Sequence, residues 1–174
     1  MHLATSLTAP TGRPQLVAAL FLTLGMAAVV GTALAFEHIG GYIPCALCLT
    51  QRTPYYLGIP LMALAALSQV LSGPALLTRG LLLAGALLML YGGALGIYHS
   101  GVEWQFWPGP TSCATSAQGV TTNAGDLLSD LNAKKPPSCD AAALRVLGLS
   151  FAGWNVIASA ILAIIALRAA FRRA

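Results

Sequence analysis

Four long apolar runs dominate this chain, and each has the length that a bilayer demands of a helix. They extend from Leu16 to Phe36, Tyr55 to Leu71, Leu81 to Tyr98 and Val146 to Leu167. A hydrocarbon core takes about 20 helical residues to cross, with a working range of about 17 to 25. Helix-ending residues separate the runs: Gly40-Gly41 with Pro44, then Ser72-Gly73-Pro74, then a Pro- and Gly-containing stretch from Pro108 onward. The pattern predicts helices over about 16–36, 53–71, 80–99 and 148–168, with loops over about 37–50 and 100–147. Leu, Ala and Gly fill all four runs, which suits close helix packing in lipid. The expected fold is therefore an all-α integral membrane protein: a four-transmembrane-helix bundle forming a single domain over residues 1–174.

Composition excludes the alternatives. Fifty-seven percent of the residues are hydrophobic and 8% are charged, against about 25% charged in soluble domains. Too little polar surface remains to cover a water-soluble molecule. The net charge of +4 does not point to nucleic acid, because the basic residues are scattered, with no basic stripe and no interleaved aromatics.

The charges instead give an orientation, since cytoplasmic loops collect Lys and Arg. With the N-terminus in the cytoplasm, Arg13, Arg79, Arg168, Arg172 and Arg173 all fall on that side, without an acidic residue among them. The opposite side holds Arg52, Lys134, Lys135 and Arg145 with every acid: Glu37, Glu103, Asp126, Asp130 and Asp140. The expectation is N-in, C-in, with one long loop outside. Ala33-Leu34-Ala35 resembles a signal-peptidase site, but the apolar run before it exceeds the about 7–15 residues of a secretory core. The first helix is expected to stay. Within the long loop, Asp126-Leu127-Leu128-Ser129-Asp130-Leu131 reads either as a short amphipathic helix on the membrane surface or as an ordinary turn of loop helix.

All four cysteines lie on the outer side, as suits an oxidising compartment such as the periplasm. Four cysteines admit three pairings. Cys45-Ala46-Leu47-Cys48 is a C-x-x-C, the spacing of redox-active dithiols. A helix starting near Pro44 puts both sulfurs in its first turns, where the dipole favours thiolate. Arg52 follows Cys48 by four residues, on the same helix face. A charge at the edge of a span is a candidate functional residue, and the plainer reading is that Arg52 snorkels to the headgroups. A zinc site would need a second close pair of ligands, and Cys113 and Cys139 stand 26 positions apart. No metal is expected. His38 and His99, both near helix ends, are candidates to hydrogen-bond a ligand or carry a proton, although an interfacial histidine is more often structural.

From about Phe36 to the fourth helix, the chain resembles the DsbB family of bacterial membrane thiol:quinone oxidoreductases. The residues that carry the resemblance are Phe36-Glu37-His38, Pro44-Cys45-Ala46-Leu47-Cys48 and Gln51-Arg52. Further on come Tyr98-His99, Glu103-Trp104, Trp107-Pro108, Pro110-Thr111-Ser112-Cys113, Cys139, Leu147-Gly148-Leu149-Ser150 and Gly153-Trp154. The resemblance implies catalytic Cys45, Cys48, Cys113 and Cys139, paired as Cys45–Cys48 and Cys113–Cys139. It implies that Cys113–Cys139 takes electrons from a periplasmic thioredoxin-fold oxidase of the DsbA type. Cys45–Cys48 would re-oxidise that pair, and ubiquinone or menaquinone from the membrane pool would re-oxidise Cys45–Cys48. Cys48 would lie next to the quinone, with Arg52 stabilising its sulfur and His99 as a further quinone contact. Cys113 would exchange with the partner. The location implied is the bacterial inner membrane, with the cysteines periplasmic and the activity serving disulfide bond formation. Two rivals remain. A quinone-epoxide reductase of the vitamin K epoxide reductase type carries its C-x-x-C near the last span, unlike this chain. A scaffold with two structural disulfides leaves Arg52 unexplained.

Overall fold

The computed structural model describes residues 10–110 and 139–172. Cys113 and the segment 126–131 lie outside the described residues. Among the described residues, four helices and one small hairpin follow in chain order: α1 (Arg13–His38), α2 (Ala46–Val70), α3 (Ala75–Glu103), β1 (Arg145–Val146), β2 (Leu149–Ser150) and α4 (Phe151–Phe171). Three of the helices, α1, α3 and α4, are long and apolar enough to cross a membrane. Helix α2 has 25 residues, but Gln51, Arg52 and Gln69 and two interior prolines, Pro54 and Pro60, dilute its apolar run.

The bundle is built inside out relative to a protein in water. Its core holds small and flexible residues, among them Ala19, Met26, Met62, Ala86, Met89 and Ala166. Large apolar side chains such as Leu24, Leu64, Leu87 and Ile161 face outward. An exposed apolar belt of this extent marks a surface made for lipid.

Polar side chains gather at the two ends of the bundle. At the end bearing Pro10 and Arg172, Gln15 Oε1 accepts from the Gly12 N–H at 2.9 Å, and its Nε2 donates to the Arg172 carbonyl at 2.8 Å. Arg79 is fully buried there. It donates to the carbonyls of Ala170 and of Pro10, the latter at 3.1 Å. A helix leaves its last carbonyls without intrahelical partners, so Gln15 and Arg79 close the C-terminal end of α4 and tie it to α1 and α3.

At the other end, α4 begins at Phe151 rather than near 148, because the preceding residues turn back as a hairpin. Arg145 pairs with Ser150 and Val146 with Leu149. The turn places Leu147 and Gly148 at φ 53° and 84°, two successive left-handed residues, as the tight hairpin turns require. Gly148 takes this conformation without the clash a side chain brings. Ser150 then caps α4, its hydroxyl accepting from the Gly153 N–H at 3.2 Å. Helix α3 runs on past the apolar stretch to Glu103, carrying His99 into the interior. Helices α3 and α4 meet closely at Gly96, where a Cβ would stand 2.9 Å from Val156 and 3.1 Å from the Asn155 amide.

Candidate functional site

Cys45 is not in the first turn of α2 but is its N-cap: its sulfur accepts from the Cys48 N–H at 3.2 Å. The exposed amides of a helix start therefore act on Cys45 directly. The two sulfurs of the C-x-x-C are free thiols, 2.8 Å apart. His99, from α3, brings Nε2 to 3.7 Å from the Cys45 sulfur. Cys139 is buried and disulfide-bonded, and the ligand atoms of Cys45, His99 and Cys139 all lie within 4.8 Å of one another. Such a triad has the compactness of a metal site. A disulfide sulfur is not the thiolate that zinc requires, so the arrangement suits sulfur exchange.

The fold thus brings Cys45, Cys48, Arg52, His99 and Cys139 together. The sequence favoured thiolate at both sulfurs of the helix start and gave Cys48 the added support of Arg52; the electrostatics of the fold separate the two. The hydrogen bond from Cys48 is the largest of the causes that bring the Cys45 thiol from its ordinary value down to about 5. His99 and the Cys48 amide add to it, against burial. Cys48 moves the other way: its bond to Cys45, burial and the Cys45 charge push it up, and the Arg52 charge opposes them only weakly. In the reduced pair the charge belongs to Cys45, because two adjacent sulfurs cannot both ionise.

Beside the dithiol a cavity of about 490 Å³ opens between α1, α2 and α4. Val29, Phe36 and Phe151 give it apolar walls, and Cys48, Arg52 and His99 stand at its polar end. Arg52 Nη1 donates to Glu37 Oε2 at 2.5 Å, with the two side chains 13% and 25% exposed. Arg52 is thus an ion-paired residue of the cavity wall and does not simply reach for headgroups. The lining is apolar along most of its length, with hydrogen-bond donors at the Cys48 end.

Several residues of the site escape a reading by spacing. Gln51 Nε2 lies 2.6 Å from His99 Nδ1, and Asn155 Nδ2 donates to Gln51 Oε1 at 2.7 Å. The Tyr55 hydroxyl donates to Asn155 Oδ1 at 2.6 Å. Glu103 stands one turn after His99, with Oε1 at 3.8 Å from Nε2, and its Oε2 is buried without a hydrogen-bond partner among the described residues. One signal for Asn155 and Ser159 is visible in the sequence: polar residues four apart inside an apolar run, which lipid penalises.

An apolar helical bundle with a buried dithiol beside a cavity, and a bonded cysteine within reach of that dithiol, defines a membrane thiol–disulfide oxidoreductase. Residues 15–169 match the family model described as disulfide bond formation protein DsbB, and the chain belongs to that family. The family is membrane-bound and acts in disulfide bond formation, re-oxidising DsbA. No curated protein and no solved structure shows significant similarity to the chain.

Proposed function

We propose that this protein carries electrons from a periplasmic DsbA-like dithiol to a membrane quinone through two disulfides, Cys113–Cys139 and Cys45–Cys48. The carrying observation is the place of Cys45. Its sulfur lies 2.8 Å from that of Cys48 and within 4.8 Å of that of Cys139, so one atom touches both halves of the relay.

In this reading the partner's thiolate attacks Cys113, and Cys139 leaves with the electron pair of the broken bond. Cys139 then attacks Cys45, and Cys48 leaves as thiolate. Bonding of Cys45 to Cys139 removes both the Cys45 hydrogen bond and the Cys45 charge, two of the three causes that push Cys48 up. Arg52 remains, and the negative charge passes to the sulfur that lines the cavity. The partner's second thiol closes the partner's disulfide and frees Cys113, which re-forms its bond to Cys139 and releases Cys45. When their own disulfide re-forms, Cys45 and Cys48 would give up two electrons and two protons, and a quinone held in the cavity would supply the acceptor. Arg52 would hold a carbonyl, His99 would border the site, and the apolar walls would exclude water. Ubiquinone and menaquinone share this chemistry.

The topology proposed is four spans with both termini cytoplasmic and the cysteines periplasmic in the bacterial inner membrane. The arginine asymmetry supports it, and so does the gathering of the dithiol, His99 and Cys139 at the bundle end opposite the termini. Purified protein mixed with quinone and a reduced thioredoxin-fold dithiol should reduce the quinone with one partner disulfide formed per quinone. With Cys139→Ser, Cys113 should accumulate as a mixed disulfide with the partner. Folded, quinone-loaded protein that yields neither result sinks the relay.

A further inference from the structure

We infer that Gln51, Asn155 and Tyr55 are positioning residues: they form a hydrogen-bond chain that fixes the tautomer of His99 and turns its Nε2–H toward the Cys45 sulfur. The role assigned to Cys45 rests on the relay reading; the chain itself does not.

The direction of every link follows from one backbone group. The Gly92 carbonyl can only accept, and Asn155 lies against it through Nδ2 at 3.1 Å. That fixes the Asn155 amide, whose Oδ1 accepts the Tyr55 hydroxyl at 2.6 Å and that of Ser159 at 3.4 Å. The same Nδ2 donates to Gln51 Oε1 at 2.7 Å. With its oxygen taken, Gln51 presents its NH₂ to His99 Nδ1 at 2.6 Å. An amide NH₂ is donor only, so Nδ1 accepts. In the neutral ring the proton must then sit on Nε2, which stands 3.7 Å from the Cys45 sulfur. A neutral ring with its proton on Nδ1 would meet the amide hydrogens head on. The links connect α2, α3 and α4, and Asn155 is held where Gly96 lets α3 approach α4. Polar chains of this kind are strong in a low-dielectric interior when every member is satisfied.

The consequence is a permanent hydrogen-bond donor for a sulfur that must repeatedly leave a disulfide. In each exchange that frees Cys45, the incoming thiolate forms the new S–S bond and Cys45 departs with the electron pair of the old one. No proton moves, and the Nε2–H meets the charge as it forms. The titratable groups facing Cys45 and His99 are Cys48 from α2 and Glu103 from α3; the bonded Cys139 lies close without titrating, and Arg52 faces Cys48. Glu103 Oε1, at 3.8 Å from Nε2, competes with the sulfur for the same hydrogen. Gln51 has no such rival.

The test uses reduced full-length protein in detergent, without quinone or partner. The rate of Cys45 alkylation is followed against pH, with Cys45 and Cys48 distinguished by peptide mass. In Gln51→Leu, Nδ1 loses its donor and the ring is free to turn an unprotonated Nε2 to the sulfur. The alkylation midpoint should rise by about one pH unit, so that Cys45 reacts about tenfold more slowly below the midpoint. Asn155→Leu, one link further, should shift it in the same direction. Where a variant fails to fold, heteronuclear NMR of histidine-labelled wild type reads the tautomer directly. A proton on Nε2 of His99 is expected. An unchanged midpoint in folded Gln51→Leu, or a neutral ring carrying its proton on Nδ1, overturns the inference while leaving quinone reduction untouched. Loss of quinone reduction in the mixing experiment above would sink the relay and leave the tautomer standing.

Discussion

Arg52 Nη1 lies 2.5 Å from Glu37 Oε2, and both side chains line the apolar cavity next to Cys48. In the proposed relay the guanidinium has two demands on it: to stay with its carboxylate and to donate to a quinone carbonyl. Arginine meets both, having five N–H groups in a fixed fork. Arg52→Ala should therefore weaken apparent quinone affinity by about tenfold to a hundredfold, the range for losing a hydrogen bond from a charged donor. Arg52→Lys should recover little, since a compact ammonium on a flexible stem lacks the planar fork that reaches both acceptors at once. Glu37→Gln keeps the arginine and should retain most of the affinity. Quinone titrations of the three variants give the ranking, and equal affinity in Arg52→Ala would return this residue to a purely structural pair with Glu37.

The depressed Cys45 thiol makes its reactivity nearly independent of pH across the neutral range. The sign is fixed by the direction of the shift: a group held at about 5 is thiolate above that pH and is protonated only below it. Alkylation of Cys45 in the reduced protein should stay level from about pH 8 to 6 and fall through pH 5, since only thiolate reacts. Cys48, pushed upward, should stay nearly inert throughout that range. Cys48→Ala removes the largest cause of the Cys45 depression and should move its midpoint up, whereas Cys48→Ser retains a donor and should move it less. Peptide-level alkylation kinetics decide this.

Arg79 offers a stability test remote from the chemistry. It is fully buried and donates to two backbone carbonyls, those of Ala170 and Pro10. Arg79→Leu strands both. At about 1–3 kcal/mol for each buried acceptor left unpaired, the loss should reach about 2–6 kcal/mol and lower the melting temperature in detergent. Apparent quinone affinity should hold, because the cavity lies at the opposite end of the bundle.

Topology has its own measurement. Reporter fusions after Arg79 and after Ala174 should read cytoplasmic and one near Asp126 periplasmic, as the arginine distribution requires. A periplasmic signal after Ala174 would reverse the assignment.

The helices and the dithiol were legible because their signals are local. Apolar runs of span length announce helices by themselves, and C-x-x-C with Arg52 four residues later is a pattern within about two turns. The sulfur that carries the charge was not legible. It depends on Cys45 being the helix cap and on His99, which lies 54 positions away in the chain. The amide chain was equally hidden, since Gln51 and Asn155 are 104 positions apart and Gly96 shows its purpose only when α4 lies against it. The second strand of the hairpin, Leu149–Ser150, was read as the start of the last helix because it continues into an apolar run, and short strands cannot be told from helix by composition alone. Leu147-Gly148, the turn itself, was the available clue.

That Cys45 caps α2 ties covalent chemistry to the fraying of a helix. A thiolate is a strong acceptor for the Cys48 N–H, and a sulfur locked in a disulfide is a weak one. The first turn of α2 should therefore tighten when the dithiol is reduced and loosen when it is oxidised, so amide exchange at Cys48 reports the state of the pair. Because the next turn bears Gln51 and Arg52, the loosening reaches the cavity wall, and the filling of the cavity and the redox state of the sulfurs become one mechanical event.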